Sequence, residues 1–293
     1  MKITAVVNTY NEEQNISHCL KSARQLADKI VVVDMHSTDQ TVEIAKKFGA
    51  KVFEHDYVGY VEPARNFALK KATGDWILII DADEELPDSL ARELKKIVAE
   101  DRADYVVIPR KNIIFGKWIK HSRWWPDYQV RFFKKGKVQW DEKIHSIPET
   151  TGKGTDIEAK EENALIHHNY SSIGQYLERN NRYSEIMASG LVRDGYDFNL
   201  TDLIGKPANE FLGRYFAGKG YLDGIHGLIL AALQAFEEFV MLVKVWEKQE
   251  FKQIEVADSG KVMGKAISDF YFWQSVDSKS LLKKIYFKLK SKF

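Results

Sequence analysis

Short apolar runs alternate with helix-like patterns over the first 110 residues. The runs predict five strands: Ile3–Val7, Ile30–Val33, Lys51–Glu54, Trp76–Ile80 and Tyr105–Ile108. The segments between them carry apolar residues at helical spacing, which predicts helices that begin at Asn11, pass through Val42–Phe48, and cover Pro63–Ala72 and Asp88–Ala99. This alternation predicts an α/β fold whose sheet is mainly parallel, Rossmann-like and flanked by helices.

After Arg110 the pattern changes twice. Short β segments with turns continue to about Tyr170, among them Gln129–Phe133, Lys137–Trp140 and Ala164–His168, and from Ser172 onward the chain has a helical pattern. We therefore expect a catalytic domain over residues 1–170, with a first half at 1–110 and a second at 111–170. A helical C-terminal region should cover residues 171–293.

Two segments of the helical region have residue patterns that are typical of contact surfaces. Apolar residues recur at helical spacing at Ile225, Ile229, Ala232, Phe236, Val240 and Val243. This face either packs on the catalytic domain or contacts a membrane surface or a partner. The stretch 283–293 is basic and aromatic, a composition that suits adsorption to anionic lipid. The uncharged stretch from Gly224 to Phe236 is shorter than the ~20 apolar residues that span a bilayer, so we expect no transmembrane helix.

Composition narrows the class of protein. The 43 basic and 42 acidic residues give a net charge of +1, which argues against nucleic acid as a partner. Cys19 is the only cysteine, so an internal disulfide and a cysteine metal site are both excluded. The apolar part of the N-terminus is too short for a signal peptide. These features predict a cytoplasmic protein.

The most informative motif is Asp81-Ala82-Asp83, directly after the apolar run Trp76–Ile80. In extended geometry the two aspartates project to the same side. Two hard oxygen donors on one side suit Mg²⁺ or Mn²⁺. The alternative interpretation is an acidic cap on the following helix.

Two other predicted strands also end in polar segments, Asn8–Glu13 and Asp34–Asp39. The carboxyl ends of parallel strands lie along one edge of a sheet, where α/β folds bind ligands. The chain has neither a dinucleotide-binding fingerprint nor a phosphate-binding glycine loop. A metal at Asp81-Ala82-Asp83 would neutralise a diphosphate instead.

Four motifs in order resemble those of family 2 glycosyltransferases, which are inverting GT-A-fold enzymes that use nucleotide sugars. They are Val7–Glu13, Val32–Thr41, Ala64–Asn66 and Asp81–Asp83. More loosely, Trp124–Phe133 and Lys219–Gly224 are similar to the bacterial lipopolysaccharide core glucosyltransferase branch.

The resemblance implies roles for individual residues. Thr9, Tyr10 and Glu12 would line the base and ribose pocket, and Asp34 would accept a hydrogen bond from a uracil-like base. Arg65 would face the diphosphate, as its fork of donors suits phosphate oxygens. Asp81, beside Ala82 in the donor site, would face the ribose or a metal-bound water. Asp83 would be the direct ligand of the divalent metal, Mn²⁺ or Mg²⁺.

The catalytic base is less clear from the sequence. Related sequences often carry His-Glu where this chain has His145-Ser146, so the base is sought among Asp127, Asp141 and Glu142. We favour Asp127, because Trp124, Trp125 and Tyr128 would supply an apolar wall for the acceptor sugar. His145 is a candidate third metal ligand or diphosphate contact, or else a core histidine. The pair His167-His168 looks like a metal site, but adjacent residues on a strand point to opposite faces, so we expect no metal site there, with one histidine buried and the other exposed.

Together these features predict a metal-dependent inverting glycosyltransferase. It would move a hexose from a nucleotide sugar, with UDP as the expected carrier, to a glycan or glycolipid acceptor such as lipopolysaccharide core. The alternatives are a polyprenol-phosphate glycosyltransferase and a non-catalytic nucleotide- or glycan-binding protein on the same fold. A peripheral contact of the C-terminal helices with the inner face of the cytoplasmic membrane is the alternative to their packing on the first domain.

Overall fold

The computed structural model describes residues 1–57, 62–140, 148–254, 256 and 259–292. The chain forms two compact units. The first contains residues 1–118 and 125–169, and the second contains residues 119–124 and 170–293. Each is described by itself below.

A mixed β-sheet forms the centre of the first unit. Its strand order is β3-β2-β1-β4-β8-β6-β12-β5, with β7 and β11 paired to β6, while β9 and β10 form a separate pair. The strands are β1 Ile3–Thr9, β2 Lys29–Asp34, β3 Lys51–Glu54, β4 Trp76–Asp81, β5 Glu84–Glu85, β6 Tyr105–Ile114, β7 Lys117–Trp118, β8 Asp127–Lys134, β9 Val138–Gln139, β10 Glu149–Thr150, β11 Gly154–Asp156 and β12 Leu165–Tyr170.

The parallel arrangement predicted from the sequence holds for β3, β2, β1 and β4. Strand β6 runs in the same direction as β4 but does not pair with it, because β8 lies between them and runs antiparallel to both. Four helices join the strands: α1 Ile16–Ala23, α2 Thr41–Lys47, α3 Glu62–Lys71 and α4 Asp88–Glu100. The α/β prediction is confirmed, with parallel pairing concentrated where the predicted donor site lies.

Continuous apolar runs explain why β1 and β4 lie at the centre of the sheet. Every residue of β1 is buried, and so are the first five residues of β4. The Trp76 ring stacks on that of Phe132, with the centroids 4.7 Å apart. Gly74 permits the close approach of the two strands, because a Cβ there would lie 2.7 Å from the carbonyl oxygen of Lys2.

The predicted cap at Asn11 is wrong. Helix α1 begins five residues later, after Asn15, which makes no side-chain capping bond. Asn11 instead has a left-handed backbone (φ 53°), and its side-chain oxygen accepts the N–H of Thr38 at 2.8 Å. Asparagine tolerates this conformation better than most residues, so Asn11 connects two loops at the sheet edge rather than starting a helix.

The second unit is helical. Its helices are α5 Ile173–Arg193, α6 Leu200–Leu212, α7 Ile225–Lys248, α8 Ser259–Asp277 and α9 Leu281–Lys290. Buried Asp223, in a short turn before α7, accepts the backbone N–H groups of Lys120 and His121. Gly227 lies so close to this turn that a Cβ would be 1.7 Å from the carbonyl oxygen of Gly220.

The sides of α7 differ in exposure. Leu230, Leu242 and Val245 are buried, whereas Ile225 and Phe236, on the apolar face predicted from the sequence, are exposed. Within the described residues, no helix combines the length and hydropathy needed to cross a bilayer.

Candidate active site

The carboxyl ends of β1, β2 and β4 place polar side chains at one edge of the sheet. Asn8 lies opposite Asp81 in the register, and Thr9 lies opposite Asp34. Asn8 and Thr9 are buried, and their side-chain amide and hydroxyl groups find no hydrogen-bond partner among the described residues. Buried polar groups are nearly always paired with protein, water or ligand. Their position indicates a site that binds polar groups.

The residues predicted to contact the nucleotide base and the ribose lie on the loops at this edge of the sheet. The Tyr10 ring stacks on that of Tyr57, with centroids 4.1 Å apart. Glu12 accepts a hydrogen bond from the side chain of Asn15 at 2.7 Å. Asp34 accepts both the N–H and the hydroxyl of Ser37, at 2.9 and 2.5 Å, so its carboxylate also shapes the loop that follows β2. The nucleotide-binding roles of these residues stay predictions.

Asp81 is held by two arginines. Arg65 of α3 approaches it at 3.1 Å, and Arg131 of β8 forms a second ion pair. Burial raises the pKa of Asp81, but the guanidinium groups of Arg131 and Arg65 outweigh that effect and hold the pKa far below its usual range. Asp81 is therefore ionised at neutral pH. Arg65, the predicted diphosphate contact, also has its guanidinium over the Trp140 ring.

Arg131 and Glu84 were not among the predicted site residues. Arg131 is buried and also binds the fully buried Glu84 at 2.8 Å. The register of β6 with β8 shifts at this point, because Phe132 pairs with Val106 while Val130 pairs with Val107. Arg131 is thus the extra residue of a β-bulge, a feature that redirects side chains. The sequence offered one signal for Arg131, because it is a charged residue within the otherwise apolar run Val130–Phe133.

Asp83 faces a histidine that comes 84 positions later in the chain. Pairing of β12 with β5 brings His167 to this place, and its Nε2 lies 3.5 Å from Oδ2 of Asp83. His167 is buried and His168 is exposed at the side chain, as predicted. Sequence reasoning did not place His167 in the site, because the pairing of β12 could not be inferred from the pattern.

The contacts of Asn112 define which nitrogen of His167 carries the proton. The amide nitrogen of Asn112 donates to Asp127 at 3.1 Å, since a carboxylate only accepts. Its amide oxygen therefore faces Nδ1 of His167, at 2.6 Å, and Nδ1 must donate. In the neutral ring Nε2 then presents a lone pair toward the carboxylate of Asp83.

This arrangement fits a divalent metal. A neutral imidazole nitrogen and a carboxylate oxygen are both electron-pair donors, and both are suitable ligands for a divalent cation. A histidine ligand usually donates its other N–H to a partner that fixes the ring, as His167 does to Asn112. Within the described residues no set of three metal-ligand side chains converges. The remaining ligands would come from diphosphate and water.

The predicted base Asp127 is enclosed by donors. Arg110, directly opposite on β6, binds its Oδ2 at 2.6 Å, and Gln129 donates to its Oδ1 at 2.9 Å. Burial raises the pKa of Asp127, but Arg110 and the hydrogen bonds from Asn112 and Gln129 outweigh it and hold the pKa below its usual range. An ionised carboxylate of this kind is a weak base. The alternatives Asp141 and Glu142, and the candidate ligand His145, lie outside the described residues.

The three aromatic residues predicted to contact the acceptor sugar lie in different surroundings. Trp124 belongs to the second unit, where the guanidinium of Arg214 lies 5.3 Å from the centre of its ring. Trp125 and Tyr128 belong to the first unit. Trp125 packs edge-on against Trp118, and the exposed Tyr128 donates its hydroxyl proton to the carbonyl of Ile157 at 3.2 Å. Their acceptor role stays a prediction.

A cavity of about 290 Å³ opens beside Asp83. It is lined by Gln14, Asn15, His18, Ala82, Asp83, Glu84, Glu85 and His168. A slightly larger cavity, of about 310 Å³, lies at the opposite ends of the strands, where Lys29 and Lys51 begin β2 and β3. The cavity at Asp83 is the relevant one, because it adjoins the candidate metal ligands and the carboxyl edge of the sheet.

The model of the family described as "Glycosyl transferase family 2" matches residues 4–154, which include the whole carboxyl edge of β1, β2 and β4. The chain belongs to glycosyl transferase family 2. The predicted family and the predicted enzyme class, a glycosyltransferase, are confirmed, and the α/β architecture with helices after β12 agrees with the predicted GT-A fold class.

This family 2 glycosyltransferase is similar to curated proteins and to solved structures. It is 31% identical over 292 residues to an uncharacterized glycosyltransferase of Rickettsia typhi, covering 97% of this chain and 96% of the relative. It is 25% identical over 264 residues to the lipopolysaccharide core biosynthesis glycosyltransferase LpsC of Rhizobium meliloti, covering 86% and 94% of the two chains. The solved structure of residues 1–349 of Staphylococcus aureus TarS with UDP has a TM-score of 0.46 and 18% identity, covering 99% of this chain and 88% of that one.

Proposed function

We propose that this glycosyltransferase moves a hexose from a UDP-linked donor to a glycan or glycolipid acceptor, with inversion and with the help of a divalent metal. The observation that carries the proposal is the facing pair of Asp83 and His167 beside the ion-paired Asp81 and Arg65. The candidate metal ligands and the candidate phosphate-binding arginine thus lie at the carboxyl edge of parallel strands.

The donor would lie along the ends of β1 and β2. Thr9, Tyr10 and Glu12 would contact the base and ribose, and Asp34 would accept a hydrogen bond from the base. The unpaired buried groups of Asn8 and Thr9 support this placement, since a ligand or its bound water would satisfy them. Arg65 would bind the diphosphate and remain attached to Asp81, whose charge keeps the guanidinium oriented.

The metal would be held by Asp83 and by Nε2 of His167, with His145 as a further candidate ligand. When bound, the ion would stabilise the negative charge that develops on the departing diphosphate. Asn112 would keep the His167 ring in the required tautomer, and Arg131 would keep Asp81 ionised and hold both Asp81 and Glu84 in place. Mn²⁺ or Mg²⁺ would suit these oxygen and nitrogen ligands.

The base would take the proton of the acceptor hydroxyl as its oxygen bonds to the anomeric carbon and the bond to the diphosphate breaks. Asp127 remains our candidate among the described carboxylates, with Asp141 and Glu142 as alternatives. We expect Asp127→Asn to retain UDP binding and to lower transfer at least 100-fold. If Asp141→Asn has that effect and Asp127→Asn does not, the base has been assigned to the wrong residue.

The acceptor is proposed to be a bacterial cell-envelope glycan of the lipopolysaccharide core type, because LpsC of Rhizobium meliloti carries that role in its name. Trp124, Trp125 and Tyr128 are the proposed acceptor contacts, as aromatic faces bind sugar rings. A cytoplasmic location belongs to the same proposal, supported by the single, buried cysteine Cys19.

A donor panel tests the proposal. Purified protein is incubated with UDP-glucose, UDP-N-acetylglucosamine or GDP-mannose, with or without core oligosaccharide, in Mn²⁺ or in EDTA. Release of the nucleoside diphosphate is then measured. We expect release from a UDP donor that requires the metal and falls at least 100-fold in Asp83→Asn, but not in the control Asp101→Asn. Release that is equal in EDTA, or undiminished in Asp83→Asn, would overturn the metal-dependent mechanism.

A further inference from the structure

Helix α9 exposes most of its apolar side chains to solvent. The exposed fractions are 73% for Leu281, 80% for Leu282, 50% for Ile285, 54% for Tyr286 and 55% for Leu289. At 100° per residue these five positions cover an arc of about 140° on one side of the helix. An apolar strip of this width is normally covered by another surface.

The opposite side of α9 is attached to α8. The Phe287 ring stacks on that of Tyr271, with centroids 6.2 Å apart, and Ser268 of α8 donates to the carbonyl of Ser291 at 2.7 Å. Because Phe287 points toward α8, the apolar strip of α9 is directed away from it. The strip is therefore held in the exposed orientation by the packing of the unit to which α9 belongs.

Lysines border the strip on both sides. On the helical wheel Lys284 and Lys288 lie along one border, and Lys283 and Lys290 lie along the other. The segment 278–292 contains six lysines and no acidic residue, whereas the whole chain is nearly neutral. An apolar strip with basic borders matches the acyl chains and the anionic head groups of a phospholipid surface, respectively.

We propose that α9 lies in the plane of an anionic phospholipid bilayer, with Leu281, Leu282, Ile285, Tyr286 and Leu289 inserted among the acyl chains and the lysines at the head groups. Charge complementarity favours this occupant over a second copy of the chain, whose own α9 would bring like charges to the same borders. At ten residues the helix is about 15 Å long, which suits lying in the interface and not spanning it. Helix α9 belongs to the second unit and Asp83 to the first, and no residue of the Asp83 site enters the proposal, so it does not depend on the proposed function.

Vesicle flotation of the full chain tests the charge requirement. The protein is mixed with phosphatidylcholine vesicles that contain either no anionic lipid or 30% phosphatidylglycerol. We expect flotation with the anionic vesicles only, and weaker flotation at higher salt. The variant Lys283→Gln/Lys284→Gln should lower the partition coefficient about 30-fold. The matched control Lys95→Gln/Lys96→Gln removes the same charge from exposed α4 and should behave as the wild type.

The apolar requirement is tested with Leu282→Gln/Ile285→Gln, which should lower partitioning at least tenfold. Its control is Leu228→Gln/Ile229→Gln, an exposed apolar pair on α7 without the lysine borders. Light scattering is recorded for each protein, and far-UV circular dichroism reports that the fold is intact. The proposal would be overturned if the protein does not float with anionic vesicles or binds neutral vesicles equally well. It would also be overturned if a double variant and its control lose the same fraction of vesicle binding. A wild-type dimer that Leu282→Gln/Ile285→Gln converts to monomer would overturn it as well.

Discussion

Arg131→Met removes the positive charge at the centre of a buried ion network. In the wild type one nitrogen of this guanidinium binds both Asp81 and Glu84, and the side chain of Glu84 is fully buried. Methionine has a similar length and preserves most of the packing, so the variant isolates the loss of charge. After the substitution Asp81 still has Arg65 at 3.1 Å, and Glu84 keeps Arg110 at 3.4 Å and the backbone N–H of Asp81 at 3.0 Å.

Removing one partner of a buried ion pair costs about 3–5 kcal/mol, because the remaining charge is left without compensation. Since Arg65 and Arg110 retain part of the compensation, we expect the free energy of unfolding to fall by about 3 kcal/mol at pH 7. A domain of ordinary stability, about 5–15 kcal/mol, remains folded after this loss.

The pH dependence has a definite sign. The pKa of Asp81 is depressed in the folded protein, so its stabilising contribution is complete above its unfolded value of about 4 and is lost as the pH falls toward the folded value. The difference in the free energy of unfolding between the wild type and Arg131→Met should therefore be constant from pH 5 to pH 8. It should shrink by at most about 1 kcal/mol between pH 5 and pH 3, which is the loss expected for the wild type alone.

Urea unfolding at pH 7, 5 and 3 measures these differences. The matched control is Arg102→Met, because Arg102 also pairs with two carboxylates, Glu93 and Glu100, but its side chain is 42% exposed. Exposed pairs contribute about 0–1 kcal/mol, so the control should change little. If the two variants lose the same free energy, the buried network is not what stabilises this edge of the sheet.

Three further predictions concern the same site and the second unit. Asn112→Ala should weaken Mn²⁺ binding in the presence of UDP about 10–100-fold by titration calorimetry, because it frees the ring of His167; unchanged affinity would refute the tautomer argument. Gly227→Ala should destabilise the protein by about 3 kcal/mol in thermal unfolding, since its Cβ would meet the carbonyl of Gly220. Its control Gly264→Ala, in open space within α8, should stabilise the protein by about 0.5–1 kcal/mol. Arg65→Gln should weaken UDP binding at least tenfold with little effect on uridine, and an equal effect on both ligands would remove Arg65 from the diphosphate.

Local patterns were sufficient to predict the parallel half of the fold. The apolar runs at Ile3, Ile30 and Trp76 each form a strand that begins within one residue of the prediction. Their polar ends converge because parallel strands share a carboxyl edge, and this follows from topology without knowledge of side-chain contacts. Asp81 and Asp83 could therefore be placed at one edge from the sequence alone.

The other half of the site depends on long-range pairing. Arg131 reaches Asp81 through a β-bulge between β6 and β8, and a one-residue shift of register reverses the direction of every side chain in a strand. His167 reaches Asp83 only because β12 pairs with the two-residue strand β5. No local pattern indicates which strands pair at such sequence separations, so Arg131, Asn112 and His167 could be assigned only from the structure.

The central claim is that Asp83 and His167 hold a divalent metal together with a nucleoside diphosphate. Calorimetric titration of UDP into the protein, in Mn²⁺ and in EDTA, tests it most directly. We expect Mn²⁺ to tighten UDP binding at least tenfold in the wild type, UDP to tighten Mn²⁺ binding by the same factor, and both effects to disappear in Asp83→Asn and His167→Ala. Equal UDP affinity in Mn²⁺ and EDTA, or coupling that survives both substitutions, would contradict the account.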